Sequence, residues 1–228
     1  MDALAPFLPE ATAGEDEPPR APIPGALEAR ELGAAGTDVA VSFSVGPGEV
    51  VALVGPTGAG KTSLLRALLG LVPCRGELRY ATRDVTRAAP GPSLRPFAWA
   101  PQDAPVLSGS LRENLLLGGE RLDEATHVLS LLAGPALADE LAATPLGAGG
   151  RALSGGERSW LAVARAVATG MPVLLLDEPT ASLDDAAERR FVEALATLRK
   201  DRAVLLVTHR PRTAAAADRV IDVTALER

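Results

Sequence analysis

Several residue types that would point to particular classes of protein are scarce in this sequence. Among its 228 residues there is one cysteine, Cys74, and only 3% are aromatic. A single cysteine excludes an internal disulfide, which fits a reducing compartment, and we interpret Cys74 as a small surface or half-buried residue. The sequence also lacks an apolar stretch of about 18 residues, so it predicts no transmembrane helix.

Basic residues are outnumbered by acidic ones. The chain has 23 Lys and Arg residues against 29 Asp and Glu residues, which gives a net charge of −6. Because proteins that coat nucleic acids present a basic face, this balance argues against nucleic acid as a partner. The apolar fraction of 47% fits a soluble globular protein with one α/β domain and a core of its own.

The first 25 residues differ in composition from the rest. They contain several prolines and an acidic cluster at 15–17, and they show neither helical nor strand periodicity. Proline-rich segments of this kind behave as extended linkers. Two interpretations stay open, a tail without a function or a linker from a domain upstream of this chain. The predicted folded domain occupies residues 26–228.

From residue 26 onward, short apolar strands alternate with amphipathic helices. Strands are predicted at 38–45, 50–54, 97–100, 172–177, 203–208 and 219–223. Helices are predicted at 61–71 and 184–200, and the signals between about 103 and 170 are mostly helical. This order predicts an α/β fold with a mostly parallel sheet, helices on both faces and an inserted helical subdomain.

The stretch GPTGAGKT at 55–62 is the most informative motif. It matches G-x-x-x-x-G-K-[ST] between a predicted strand and a predicted helix, which is the context that a phosphate-binding loop requires. Glycines let backbone N–H groups converge on phosphate oxygens, and the helix adds its positive end. Lys61 is expected to reach the β- and γ-phosphates, and Thr62 to bind Mg²⁺. The predicted nucleotide-binding residues of this stretch are Gly55, Pro56, Thr57, Gly58, Ala59, Gly60, Lys61, Thr62 and Ser63.

A site for Mg²⁺ and a nucleotide needs a second anchor, and VLLLDEPT at 173–180 provides one. Asp177 ends a predicted buried strand, where it can hold the metal through water. Glu178 follows and is placed to orient or deprotonate an attacking water. In isolation, two acidic residues at a strand end would be interpreted as a solvated turn, but the loop at 55–62 favours the metal site.

Five sequence blocks resemble the ATP-binding cassette of ABC transporters, in the order and spacing of that family. They are GPTGAGKT, APQDAPVLSGSLRENLLLG, LSGGER, VLLLDEPTASLDD and VLLVTHR. The resemblance covers about residues 27–225. It implies a P-loop NTPase core of the RecA type with a mostly parallel sheet, an antiparallel β subdomain and an inserted helical subdomain. It also implies ATP and Mg²⁺ as the ligands.

The resemblance assigns further catalytic roles. It implies that Gln102 contacts Mg²⁺ and the attacking water, and that His209 contacts the γ-phosphate and helps to hold Glu178. His127 has no such context, and we interpret it as a surface or packing residue. The implied catalytic residues are Glu178, His209, Gln102 and Lys61, and the implied metal site is formed by Thr62, Gln102 and Asp177.

The LSGGER block resembles the family signature, which binds ATP held by a second subunit. Ser154, Gly155 and Gly156 are implied to contact the γ-phosphate, and a helix start with free N–H donors agrees with that role. Asp184 resembles the loop that crosses the dimer interface. The implied partner is therefore a second nucleotide-binding domain, identical or different, in a head-to-tail dimer that needs ATP.

Two positions depart from the family pattern near the nucleotide. The family usually stacks an aromatic ring on adenine, but residues 26–42 contain none. Because stacking contributes about 1–3 kcal/mol per base, we expect weaker and less base-selective nucleotide binding. Glu157 stands where glutamine is usual in the signature, and we expect a mild effect.

The segment TPLGAGGRALSGGER at 144–158 resembles exporter-type cassettes. Thr144, Gly147 and Gly150 keep the family spacing, whereas Ala148 replaces a common glutamate and puts one polar contact to the membrane domain in doubt. With the linker at 1–25, this implies a half-transporter whose transmembrane domain is fused upstream. The cassette would lie at the cytoplasmic face of the plasma membrane and be soluble when isolated. Within exporters, the sequence looks closest to bacterial cysteine or glutathione exporters.

The main alternative is a soluble ABC-type ATPase that acts on DNA or ribosomes. Such proteins carry coiled-coil arms, zinc modules, two cassettes or basic faces, and the sequence contains none of these. A scaffold without turnover would lack Glu178 or Lys61, and both are present. The predicted function is therefore ATP hydrolysis that powers an exporter through ATP-driven dimerisation.

Overall fold

The computed structural model describes residues 25–91 and 94–223, and within them the chain forms nine strands and seven helices. The strands are β1 (Leu27–Ala34), β2 (Val41–Val45), β3 (Val50–Val54), β4 (Cys74–Tyr80), β5 (Arg83–Asp84), β6 (Phe97–Ala100), β7 (Val173–Asp177), β8 (Ala203–Val207) and β9 (Arg219–Asp222). The helices are α1 (Lys61–Leu68), α2 (Leu111–Leu116), α3 (Leu122–Ala133), α4 (Pro135–Ala143), α5 (Gly155–Ala168), α6 (Asp185–Leu198) and α7 (Pro211–Ala215). The predicted linker lies outside the described residues, apart from Gly25. None of the described helices has the length and apolar character needed to span a membrane.

Five strands form a parallel sheet in the order β6-β7-β8-β3-β9. Its strands are nearly continuous runs of Val and Leu because both faces of the sheet are covered. On β7, Leu174 and Leu176 belong to the hydrophobic core on one face, and Val173 and Leu175 belong to the core on the other. This sheet confirms the α/β fold with a mostly parallel sheet that the sequence predicts.

The two cores have different partners. Helices α2 to α6 supply the first core, in which Trp160 of α5 and Phe191 of α6 are among the buried side chains. Helix α1 and the antiparallel sheet supply the second, in which Leu64 and Leu65 of α1 pack with Phe43 of β2. The parallel sheet is thus the middle of three layers, which fixes the loops at its carboxyl edge from both sides.

The remaining strands form an antiparallel sheet in the order β2-β1-β4-β5, which confirms the antiparallel β subdomain. The pairing of β1 with β4 shifts register between Arg30 and Gly33, where Glu31 has a φ of 47°. Gly76 lies opposite this bulge with a φ of 83°, and a Cβ there would stand 2.2 Å from the carbonyl oxygen of Glu31. The bulge breaks the alternation of side chains, and of these four strands the sequence pattern identifies only β2.

Candidate nucleotide-binding site

Residues 55–60 form the loop that joins β3 to α1. Gly55, Gly58 and Gly60 have φ values of 143°, 86° and 86°, which favour glycine. Gly60 precedes α1 as its N-cap, and the first turn of that helix has no side-chain cap. Its amides are therefore suited to binding an anion.

Lys61, the first residue of α1, folds back over this loop. Its Nζ donates to the carbonyl oxygens of Gly55 at 2.7 Å and Pro56 at 2.9 Å, and the residue is only 8% exposed. Neutral carbonyls compensate a buried ammonium less well than an anion does. The loop and this charge together fit a nucleotide phosphate.

Asp177 and Thr62 meet below the loop. The hydroxyl of Thr62 donates to Oδ1 of Asp177 at 3.2 Å, and Asp177 is buried at the end of β7. Burial raises the pKa of Asp177, the hydrogen bond from Thr62 partly opposes that rise, and the charge of Glu178 adds to it. A carboxylate and a hydroxyl are hard oxygen ligands that suit Mg²⁺.

The described residues contain no cluster of three His, Cys, Asp or Glu side chains that could enclose a metal ion. A site built on one carboxylate and one hydroxyl matches the way Mg²⁺ binds with substrate phosphates and water rather than in an all-protein cage. Thr62, Asp177 and the predicted Gln102 therefore fit Mg²⁺ that arrives with a nucleotide.

Glu178 and His209 come together because β7 and β8 are neighbours in the sheet. Oε2 of Glu178 lies 2.7 Å from Nδ1 of His209, and the Glu178 amide donates to the carbonyl oxygen of Val207 at 3.0 Å. Glu178 also has a φ of 52°, an unusual value for a residue with a side chain. Strained backbone of this kind is concentrated at functional sites, which agrees with the predicted role of Glu178.

These groups surround a pocket of about 340 Å³. The lining residues are Thr57, Gly58, Gly60, Lys61, Thr62, Ser63, Gln102, Glu178, Val207 and His209. The fold thus brings distant motifs together, because Gln102 and His209 line the same pocket although they are more than 100 residues apart in the chain. The other residues predicted around the phosphate loop contact the lining residues or the core. Gly55 and Pro56 accept hydrogen bonds from Lys61, Asp177 accepts one from Thr62, and Ala59 packs against the second core.

The predicted signature does not line this pocket. Ser154 is exposed and caps α5, where its Oγ accepts from the Glu157 amide at 3.2 Å. A Cβ on Gly155 or Gly156 would come within 2.9 Å of the side chains of Ser182 and Leu183, so glycine permits close packing there. The start of α5 therefore rests directly on the loop that follows Glu178.

Asp184 is likewise outside the pocket. It is exposed and caps α6 by accepting from the Ala187 amide at 2.7 Å. The structure thus divides the predicted site residues into two groups on one chain. One group surrounds the phosphate loop, and the other comprises the starts of α5 and α6.

The atypical Glu157 has a structural partner that sequence reasoning missed. Its carboxylate accepts from the Ser154 amide at 2.7 Å and from Arg151 at 2.7 Å, and Arg151 also reaches Glu140 at 3.0 Å. Burial of Glu157 opposes its ionisation, but the bonds from Arg151 and Ser154 outweigh burial and lower its pKa. The position of an arginine three residues before Ser154 is the sequence signal that points to this pair.

The segment without an aromatic ring borders the phosphate loop. The methyl group of Thr37 lies 3.5 Å from the position that a Cβ on Gly60 would take. Arg75 holds this segment by donating to the carbonyl oxygens of Thr37 at 2.6 Å and Val39 at 3.1 Å. Thr37 thus places a methyl group beside the phosphate loop, and residues 25–42 contain no aromatic ring.

Comparison with known proteins agrees with this geometry. The family model for the ABC transporter matches residues 39–181. The β-(1→2)glucan export ATP-binding/permease protein NdvA of Agrobacterium fabrum is 38% identical, over 79% of this chain and 32% of that protein. The mycobactin import ATP-binding/permease protein IrtB of Mycolicibacterium thermoresistibile is 39% identical, over 81% of this chain and 33% of that protein. The chain spans about a third of the length of these relatives.

A solved structure is similar as well. A bacterial Atm1-family ABC exporter with ATP bound matches with a TM-score of 0.73 and 26% identity, over 88% of this chain and 37% of that one. The family match extends from the segment before the phosphate loop to the residues after Glu178, so it includes both anchors of the nucleotide pocket. This chain therefore belongs to the ABC transporter family, as an ATP-binding domain with ATPase function.

Proposed function

We propose that this domain is one half of an ATP-driven dimer that powers a membrane transporter of the exporter type. The observation that carries the proposal is that Ser154, Gly155 and Gly156 do not line the pocket of Lys61 and Glu178. A second cassette placed head to tail brings its signature to this pocket and receives this signature in return. The partner is a second copy or a related cassette.

In this proposal the residues of the pocket divide the work of hydrolysis. Lys61 and the amides of the loop bind the phosphates, while Thr62, Asp177 and Gln102 hold Mg²⁺, which neutralises phosphate charge when bound. Glu178 orients the attacking water and accepts its proton. His209, whose Nδ1 is 2.7 Å from the Glu178 carboxylate, keeps that carboxylate in position.

Exposed leucines support a membrane domain as the further partner. Leu107, Leu116 and Leu117 are 49%, 45% and 55% exposed within the proposed helical subdomain at about 103–170. The segment that resembles exporters lies beside Leu107, because Gly109 and Leu146 exchange backbone hydrogen bonds of 3.1 and 2.7 Å. Apolar side chains that are grouped at a surface are typical of interaction sites. We propose that this surface meets the transmembrane domain at the cytoplasmic face of the membrane.

The names of the relatives support the assembly but not one cargo. NdvA and IrtB are both ATP-binding/permease proteins, which supports a fused membrane domain, yet one name states export and the other import. Cargo and direction therefore depend on the membrane part. The thiol-reductant cargo stays a prediction from the sequence.

The Glu178→Gln variant tests the proposed function. It removes the proton acceptor but keeps the shape of the side chain, so we expect loss of ATPase activity together with a stable dimer in Mg²⁺ and ATP. Light scattering of the wild type and the variant, with and without ATP, measures the dimer. A wild type that does not hydrolyse ATP, a variant that stays monomeric, or turnover that needs added DNA would contradict the proposal; the last result would favour the soluble alternative.

A further inference from the structure

The loop between β7 and α6 touches both groups of site residues; we name residues 179–184 the connecting loop. It begins directly after Glu178 and ends at Asp184. Its Ser182 and Leu183 side chains lie within 2.9 Å of where a Cβ on Gly155 or Gly156 would stand. A shift of this loop must therefore change the support of the signature as well as the surroundings of Glu178.

Arg210, the residue after His209, holds the connecting loop. Its Nη2 donates to the carbonyl oxygen of Leu183 at 2.5 Å and reaches that of Ala181 at 3.4 Å. Its Nη1 donates to Oε2 of Glu188 on α6 at 3.0 Å. One guanidinium thus joins the end of β8 to the connecting loop and to the helix that follows.

Glu188 fixes the orientation of that guanidinium. The residue is 4% exposed, and its second oxygen accepts from the hydroxyl of Thr213 at 2.8 Å. Thr213 in turn lies 3.3 Å from the hydroxyl of Thr180 in the connecting loop. Burial opposes ionisation of Glu188, but the bonds from Thr213 and Arg210 outweigh it and lower its pKa. Both oxygens of a buried carboxylate are therefore occupied, which leaves Arg210 little freedom.

We propose that Arg210, oriented by Glu188, is a positioning residue that couples the hydrolytic residues of this chain to its own signature. The inference rests on the proposed dimer, in which that signature completes the other ATP site. A movement of His209 is passed through Arg210 to the connecting loop and from there to Gly155 and Gly156. The two sites of the dimer would then respond to each other through two such connections.

The variants Arg210→Gln and Arg212→Gln form a matched pair for the test. Arg212 is also an arginine near Glu188, but its Nη1 is 3.9 Å from that carboxylate and 3.4 Å from the carbonyl oxygen of Asp185, and its side chain is 45% exposed, so both contacts are weak. A third variant, Arg210→Lys, keeps a positive charge beside Glu188 and cannot replace the fork of hydrogen bonds. It covers the case in which Arg210→Gln fails to fold.

Two readouts are measured on each variant. In the full chain without nucleotide, we expect Arg210→Gln to raise hydrogen exchange of amides 181–187 and 154–158 by about tenfold, whereas Arg212→Gln leaves them unchanged. In steady-state hydrolysis, we expect kcat to fall by about tenfold or more and the Hill coefficient for ATP to fall toward one, with binding of ATP to the monomer kept within about twofold. Arg210→Lys should lie between the wild type and Arg210→Gln.

Equal effects of Arg210→Gln and Arg212→Gln would overturn the inference. So would full activity and cooperativity in Arg210→Lys, or a loss of ATP binding by the monomer in place of a loss of kcat. If the wild type itself has no ATPase activity, the proposed function fails, and unchanged exchange in Arg210→Gln separately refutes the role of Arg210 in holding the loop.

Discussion

At the scale of single residues, Asp177 has an environment that disfavours its charge, although Arg66 and Lys61 partly compensate it. It is buried, its one bonded partner is the neutral hydroxyl of Thr62, and Glu178 is its neighbour. These surroundings raise its pKa, so the fold favours the protonated form more than the unfolded chain does. The free energy of unfolding therefore decreases as the pH rises above 3.8, the ordinary pKa of an aspartate, because the carboxylate then ionises in surroundings that disfavour its charge.

We predict that Asp177→Asn stabilises the nucleotide-free domain at pH 7. Asparagine keeps the acceptor for Thr62 and removes the buried charge, so the thermal midpoint should rise by about 2–4 °C, as about 1 kcal/mol produces in a chain of this size. The same variant should lose the stabilisation that Mg²⁺ with ATP gives the wild type, which differential scanning fluorimetry measures. A lower midpoint without nucleotide would contradict this account.

Glu157 shows the opposite behaviour with pH. Its pKa is lowered in the fold, so its ionised form stabilises the fold at pH values above 4.5, the ordinary pKa of a glutamate. This contribution disappears as the pH falls through the lowered pKa. Glu157→Gln keeps an acceptor for the Ser154 amide but removes the charged partner of Arg151. Urea unfolding should show a loss of about 1 kcal/mol at pH 7 that is smaller at an acidic pH below 4.5. A loss that is equal at both pH values would refute the role of the charge.

At the scale of elements, the parallel strands and the loops at their ends could be predicted from the sequence. Their signals are local, because buried strands are runs of Val and Leu and the phosphate loop is identified by the short motif GPTGAGKT. The strands β1 and β4 could not be predicted from the sequence, because the bulge at Glu31 shifts the register and Gly76 interrupts the pattern of β4. The link of Glu188 to Arg210 also escaped prediction, because it depends on how separate segments pack. The link of Glu157 to Arg151 escaped although the two residues are near in sequence, because it depends on how the chain before α5 folds back onto the helix.

Gly76 allows a direct test of the bulge. We predict that Gly76→Ala destabilises the domain by about 2 kcal/mol or more, because alanine adds the strain of a φ of 83° to a clash with the carbonyl oxygen of Glu31. Gly36→Ala is the matched control, since Gly36 has a φ of 79° but nothing within 4 Å of its added Cβ. Chemical unfolding of both variants measures the difference. Equal losses would show that the clash contributes nothing.

The segment at 34–39 leads to a prediction on base selectivity. It borders the phosphate loop without an aromatic ring, so stacking cannot add its usual contribution of about 1–3 kcal/mol. We expect the dissociation constants for ATP and GTP, measured by titration calorimetry on the monomer, to differ by less than about tenfold. Micromolar binding of ATP with a strong preference over GTP would mean that another group recognises adenine.

At the scale of the whole molecule, the two groups of site residues support the proposal that one chain does not complete an ATP site. The pocket contains the predicted groups for binding and hydrolysis, whereas the predicted signature at the start of α5 does not line it. The sequence predicted the members of both groups, because each block is a local motif. Their separation in one chain is a property of the fold, which the resemblance implied and the geometry now supports.

The central claim is that each ATP site is completed by the signature of another chain. The most direct measurement mixes a Lys61→Ala chain with a Ser154→Arg chain, each inactive alone. A mixed dimer then contains one site with an intact phosphate loop and an intact signature, so ATPase activity should recover, to at most about one quarter of the wild-type value if the chains pair at random and less if the two sites depend on each other. No recovery in a mixture that still dimerises with ATP would show that each chain builds its site alone and would contradict the account.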